Sequence, residues 1–377
     1  MILGLLKEKG EETRVALLPE NVKNLLASKV EVYVEKEAGV TAFTSDADYE
    51  SAGAKVVSRQ EIFEKADLLV QIQPPDDAEV KLIRPGQVWL SALNPLWETE
   101  LVKKLQSAGV TAFSMDSIPR TTRAQAMDIL SSMATVSGYK AVLQAALMLP
   151  TFFPMFMTAA GTIRPANVLI LGAGVAGLQA IATARKLGAQ VEAFDVRSAV
   201  REEVKSLGAK FVEVEGALED SAAGGYAVEQ SEAFKQKQQE AINQHAAKSH
   251  VVICTAQIPG RKAPLLLPAE AVESMKPGSV IIDLAASSGG NCAYTKNNET
   301  IIHNGVTIVG ESNYPAQMPL DASRMFGKNV MNFLALIIDK EGQLNLNFDD
   351  DIVKGTCITH QGVLYNERVK SVIENLK

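Results

Sequence analysis

The sequence predicts an α/β protein built as two doubly wound parallel-sheet domains separated by a cleft. Three observations lead there. The 377 residues are enough for two independent cores. Short apolar runs alternate with helix-length stretches, the pattern of parallel strands joined by crossover helices. A glycine-rich turn at Gly172 then opens a second alternating series.

The first series predicts strands at residues 2–6, 30–34, 67–72, 87–93 and 111–113. Helices are predicted at 19–29, with Pro19 near its start, and at 98–107. The second series predicts strands at 168–171, 190–194, 210–214, 251–255, 280–284 and 307–310, with helices between most of them. An apolar helix at 329–338 follows, and the end of the chain is expected to pack back on the first domain. The division reads as residues 1–134 with 321–377 for one domain and 135–320 for the other. Two such sheets form a cleft, and ligands of these folds sit beyond the carboxyl ends of the strands.

Two segments stand apart. Residues 216–244 are rich in Ala, Glu, Gln and Gly and are too long for an ordinary connection. Residues 141–161 are apolar over about the 20 positions a membrane span requires. Gln144 interrupts that run, and Pro150 and Pro154 lie in its middle. A buried helix and turn between the two domains is therefore expected, with no membrane insertion.

Composition narrows the function. The formal charge is −7 and no basic cluster exceeds a pair, which argues against nucleic acid and against adhesion to anionic lipid. Cys254, Cys292 and Cys357 are odd in number and widely spaced, so neither a disulfide framework nor a zinc site is expected. The histidines (His245, His250, His303, His360) form no H-x-x-x-H pair, and no metal is expected. The first residues carry no basic leader, which argues against a signal peptide and for a cytoplasmic location.

The strongest motif is the run Val168-Leu-Ile-Leu-Gly172-Ala-Gly174-Val175-Ala176-Gly177. A G-x-G-x-x-G is weak alone, but here an apolar strand precedes it and a helix of small residues follows. Gly172 allows the turn, Gly174 lets backbone approach a pyrophosphate, and Gly177 lets helix and strand close up. The N–H groups at Val175 and Ala176 then open a helix toward the phosphates. Asp195 falls 23 positions after Gly172, where a carboxylate accepts from ribose hydroxyls. With Val196 and Arg197 it completes a Rossmann-like NAD site. A 2′-phosphate would meet like charge at Asp195, favouring NAD over NADP, although Arg197 is able to receive such a phosphate. Thr255 and Ala256 end a strand where the cofactor should lie. Asp283 reads equally well as a site residue or a structural cap.

Glu12-Thr-Arg14-Val-Ala-Leu17 with Pro19-Glu20, the glycine turn, and Ile281-Ile-Asp283-Leu-Ala-Ala-Ser287-Ser-Gly-Gly-Asn291 resemble the scaffold shared by alanine dehydrogenase and the NAD-binding part of transhydrogenase. The run from Pro119-Arg120 through Arg123, Gln125 and Asp128 to Ser131-Ser132 resembles the transhydrogenase branch. So do 158–162 and the loop Gly224-Gly225-Tyr226-Ala227. The resemblance implies that Arg120 and Asp128 hold the nicotinamide end, that Gln125 bonds its ribose, and that Ser131 meets the carboxamide. Tyr226 would tip a mobile loop closing over NAD. From the residues alone, Arg120 with Asp128 also reads as a surface ion pair, and Gln125, Asp128 and Ser131 as one polar helix face.

That branch implies NAD(H) bound here and NADP(H) on a partner subunit, with hydride passing between them. A membrane-spanning partner would couple the transfer to proton translocation. It further implies a separate, homodimeric polypeptide, peripheral on the inner face of the cell membrane. Two other readings compete: an alanine dehydrogenase-like oxidoreductase and a non-catalytic NAD sensor. The alanine dehydrogenase pattern has Lys at the position of Gln71, His at Asn94 and Asp at Ser287, and only Arg14 is kept here. Reductive amination needs such acid–base groups. Hydride exchange between two nicotinamides needs only two rings held in contact with water excluded.

Overall fold

A computed structural model describes residues 1–214 and 231–375. The chain divides into two compact units, Met1–Met133 with Pro315–Lys377, and Ala134–Tyr314.

The first unit begins with β1 (Ile2–Leu5), β2 (Glu31–Glu35), β3 (Lys55–Val57), β4 (Leu68–Val70), β5 (Val88–Ser91) and β6 (Thr111–Ser114). They lie parallel in the order β3-β2-β1-β4-β5-β6. Every residue of β4, β5 and β6 is buried, as expected for strands covered by helices on both faces. Short polar residues set where the helices start. Ser58 accepts from the Glu61 N–H ahead of Arg59–Lys65, and Asp76 accepts from Ala78 and Glu79 N–H ahead of Asp77–Leu82.

The second unit carries a small hairpin, β7 (Phe156–Thr158) and β8 (Gly161–Ile163), before its main sheet. That sheet contains β9 (Asn167–Leu171), β10 (Gln190–Phe194), β11 (Lys210–Phe211), β12 (Val251–Cys254), β13 (Val280–Asp283), β14 (Thr300–His303) and β15 (Val306–Val309). The order is β11-β10-β9-β12-β13-β15-β14, parallel except for β14 at the edge. Both sheets therefore reverse direction beside their first strand, between β1 and β4 and between β9 and β12. Ligands of doubly wound folds bind at that switch point.

The chain returns to the first unit through the helix Pro319–Ile337, which buries Phe326, Val330, Phe333 and Leu334 in that core. Two last strands, β16 (Cys357–His360) and β17 (Val363–Leu364), extend the first sheet antiparallel beyond β6.

Two expectations need correction. The run 141–161 is a buried helix only in part. The helix Ile129–Met148 ends before Pro150, and the apolar residues that follow face outward from their unit. Met157 is 76% exposed and Met155 55%, and Phe152 packs its ring on Phe156 at 4.5 Å. Leu149 and Phe153 of this stretch reach the core, while the residues from Met155 onward run into the hairpin of β7 and β8. The long connection 216–244 contains much of a regular helix, Glu232–Ala246, whose start Ser231 caps. Among the described residues no helix is long and apolar enough to cross a membrane.

Candidate functional site

The switch point of the second unit is assembled from three chain segments. After β9, Gly172 takes φ +101°, a conformation L side chains rarely adopt. A Cβ there would also meet the Thr255 hydroxyl at 2.6 Å. Gly174 is the N-cap of helix Val175–Lys186 and offers no side chain to its first turn. A Cβ on Gly174 would touch nothing closer than Arg197 Nη2 at 4.0 Å, so backbone faces open space beside that helix start. A Cβ on Gly177 would lie 1.9 Å from Gly172 O, so only glycine lets the helix close on the turn. An uncapped helix N-terminus facing an open cradle fits a dinucleotide pyrophosphate.

Asp195, at the end of β10, is 9% exposed and accepts four hydrogen bonds. Ala173 N–H donates to Oδ2 at 2.7 Å and Arg197 N–H to Oδ1 at 2.9 Å. Arg197 also donates through Nε to Oδ1 at 2.9 Å and through Nη2 to Oδ2 at 2.7 Å, a bidentate pair. The fork able to receive a 2′-phosphate is thus committed to the neighbouring carboxylate. Val196 between them packs on the core below.

Beyond β12, Thr255 donates its hydroxyl to Gly172 O at 2.9 Å and so fastens the turn. Ala256 is held from both sides by Asn291, whose Oδ1 accepts Ala256 N–H at 3.1 Å and whose amide donates to Ala256 O at 2.9 Å. Asp283 in turn fixes the Asn291 loop. It accepts Asn291 N–H at 2.7 Å, Cys292 N–H and Ala285 N–H at 3.0 Å, and the Thr295 hydroxyl at 2.6 Å. Burial raises its pKa, with those donors pulling it back. Four donors on one fully buried carboxylate make Asp283 a structural cap, and the two sequence readings resolve that way.

Gly138 was missed from sequence. It lies in helix Ile129–Met148, where an ideal Cβ would sit 2.2 Å from Ala176 O and 2.9 Å from Ala176 C. The absent side chain lets that helix back directly onto the start of helix Val175–Lys186. A lone glycine inside an apolar helix carries no periodic signal to reveal this.

The remaining candidates lie in the first unit. Asp128 accepts from Ser131 N–H at 2.9 Å and from its hydroxyl at 2.6 Å, so these two are brought together at a helix start. Gln125 belongs to the 3₁₀ segment Thr122–Met127, and both it and Arg120 are exposed. Tyr226, with Gly224 and Gly225, lies outside the described residues.

At the β1–β4 switch point sits a second polar group. Arg14 is 8% exposed and its guanidinium is engaged by Glu12, Nε to Oε1 at 2.7 Å and Nη2 to Oε2 at 2.6 Å. Its Nη1 lies 3.0 Å from Met133 Sδ. Glu8 accepts the N–H groups of Ile72 at 2.6 Å and Gln73 at 3.0 Å. Burial nevertheless pushes its pKa up to about 8. Gln71 is fully buried, and its Oε1 has no hydrogen-bond partner. Among the described residues no group of His, Cys, Asp and Glu is arranged to hold a metal.

Comparison with known proteins places this architecture. Residues 4–137 match the alanine dehydrogenase/PNT N-terminal domain and residues 141–367 the alanine dehydrogenase/PNT C-terminal domain. An NAD(P) transhydrogenase subunit alpha polypeptide of Rhodospirillum rubrum is 45% identical, over 97% of both chains. A solved transhydrogenase structure from Sinorhizobium meliloti superposes with a TM-score of 0.88 at 41% identity, covering 97% of this chain and 100% of that one. An L-alanine dehydrogenase structure gives 0.84 at 26% identity, covering all of both. Both domain models, in order and nearly end to end, assign the chain: it belongs to the alanine dehydrogenase/PNT family.

Proposed function

We propose that this chain is the NAD(H)-binding component of a proton-translocating transhydrogenase. Hydride passes directly between NAD(H) held here and NADP(H) on a partner subunit, and a membrane-spanning subunit couples the transfer to proton movement. The bound nicotinamide supplies the hydride chemistry. The chain's own residues supply binding and aim. The N–H groups after Gly174 receive the pyrophosphate, Asp195 the adenosine ribose, and Thr255 and Ala256 line the turn beside them. Arg120, Gln125, Asp128 and Ser131 hold the nicotinamide end.

One observation carries the choice over alanine dehydrogenase: the positions where that pattern has Lys and His hold Gln71 and Asn94, and Gln71 is fully buried. Gln71 and Asn94 have no proton to trade near neutral pH. Hydride exchange between nicotinamides needs neither. The outward-facing apolar hairpin at β7 and β8 supports self-association as a homodimer. A peripheral position on the inner membrane face follows from the partner subunits.

The test uses the isolated chain. It should bind NADH and show neither alanine-dependent reduction of NAD⁺ nor transhydrogenation. Appreciable alanine oxidation would overturn the proposal in favour of the dehydrogenase reading.

A further inference from the structure

The 3₁₀ segment Thr122–Met127, which carries Gln125, is six residues long. That geometry rarely persists beyond three or four, because its hydrogen bonds are poor. Something outside the segment must hold it. Ala124 and Met127, three apart and on one face, are buried in the core of the first unit with Phe326, Val330 and Phe333. On the outer face Arg123 makes a bidentate pair with Asp350, at 2.6 and 2.7 Å, and also reaches Asp351. Asp350 is itself the N-cap of helix Asp351–Thr356.

Between these two anchors the Ala126 carbonyl accepts two side-chain amides. Asn329 Nδ2 and Asn332 Nδ2, three apart on helix Pro319–Ile337, each donate to Ala126 O at 2.8 Å. Asn329 is 7% exposed, and its Oδ1 has no hydrogen-bond partner. Burying an unpartnered acceptor is unfavourable, and an apolar residue on this face would avoid it. The amide is retained in the orientation that serves Ala126, immediately after Gln125.

We infer that Asn329 and Asn332 are positioning residues for hydride transfer: they clamp the Ala126 peptide and thereby fix where Gln125 aims. The inference rests on the proposed role of Gln125 at the nicotinamide ribose. It also explains a buried asparagine, Asn329, that packing alone does not require. Because Asn329→Leu removes both the donor and the unpartnered acceptor while filling similar volume, stability and positioning separate.

The experiment compares Asn329→Leu/Asn332→Ala, Gln125→Asn and their combination in the full chain with its NADP(H)-binding partner. Thermal midpoint, NADH affinity and stopped-flow transfer rate are measured for each. The double asparagine variant should keep its thermal midpoint within a few degrees and its NADH affinity within about threefold. Its transfer should slow by roughly tenfold or more, since displacements near ~1 Å can cost on the order of 100-fold. Added to Gln125→Asn it should cause little further loss, because both act on one side chain. A parental rate, or a loss that multiplies with that of Gln125→Asn, overturns the inference and leaves Gln125 in place. If Gln125→Asn itself transfers at the parental rate, the reading of Gln125 falls and takes the clamp with it. Should the double variant not fold, Asn332→Ala alone, at a half-buried position, must slow transfer measurably, and a parental rate for it also overturns the inference.

Discussion

Replacing Gly138 by alanine adds one methyl group to a helix interior, where alanine is otherwise favoured by roughly 1 kcal/mol over glycine. On propensity alone the variant should be more stable. The local geometry opposes this. The new Cβ would lie 2.2 Å from Ala176 O, whereas ordinary contact begins near 3.4 Å. The obstacle is backbone, so no rotamer change relieves it. Either helix Ile129–Met148 or the start of helix Val175–Lys186 must move by about 1 Å, and overpacking of this kind costs typically 1–3 kcal/mol. Ala176 sits in the helix turn whose N–H groups are assigned to the pyrophosphate, so the displacement falls on the cofactor's donors. A loss of tenfold to a hundredfold in NADH affinity is expected, equivalent to about 1.4–2.8 kcal/mol. Titration of NADH fluorescence reads the affinity, and a thermal melt without nucleotide reads the fold. Tyr139→Ala, at the exposed neighbour, serves as a control that should bind normally. A Gly138→Ala protein with NADH affinity within twofold of the parent would refute the claim that this contact shapes the phosphate turn.

Three further outcomes follow from other regions of the molecule. Asp195→Ala removes the proposed ribose acceptor and releases Arg197 from its bidentate pair, so the NADH-over-NADPH preference should narrow by about tenfold or more, the scale of one charge-assisted hydrogen bond. An unchanged ratio by fluorescence titration would sink the assignment. Glu8, with its pKa raised from 4.5 to about 8, binds its proton more tightly folded than unfolded. Its contribution to stability should therefore be fully present below about pH 4.5 and fade as the pH rises toward 8, by roughly 1.4 kcal/mol per unit at most. Denaturant melts of parent and Glu8→Gln across that window should reveal the slope as a difference curve, and a flat difference would contradict it. If the proposed homodimer forms through the exposed hairpin, charging it with Phe156→Asp and Met157→Asp should shift the protein from dimer to monomer in sedimentation velocity. An unaltered sedimentation coefficient would remove the hairpin from the interface.

The two parallel sheets were legible because their strands are buried on both faces and read as near-continuous apolar runs. Apart from β11, the elements at the sheet edges were not. β3 (Lys-Val-Val), β14 and the terminal pair β16–β17 are short or half-exposed, and antiparallel additions leave no crossover pattern. The glycine turn was readable because each glycine has a separate steric reason, and the geometry supplies two of them, the positive φ at Gly172 and the close packing at Gly177. What sequence cannot supply is contact between distant segments. The backing of Ala176 by Gly138 joins positions 38 residues apart, and the Asn291 brace of Ala256 joins positions 35 apart. The Arg197–Asp195 pair is local, but its bidentate form depends on a rotamer that spacing does not encode. The apolar stretch after Met148 misled because composition records hydrophobicity and not what covers it. Asp283 could be settled only by counting its donors.

The central claim is direct hydride transfer from a dinucleotide on this chain to one on a partner subunit. It is tested most directly with NADH carrying deuterium on the transferred C4 position. The chain is reconstituted with its membrane and NADP(H)-binding partner subunits in ordinary water. The account predicts that the deuterium appears in NADPH with none lost to solvent, and that neither the chain nor the partner alone forms labelled NADPH. Deuterium released to water, or NADPH formed unlabelled, would contradict direct transfer between two rings held in contact.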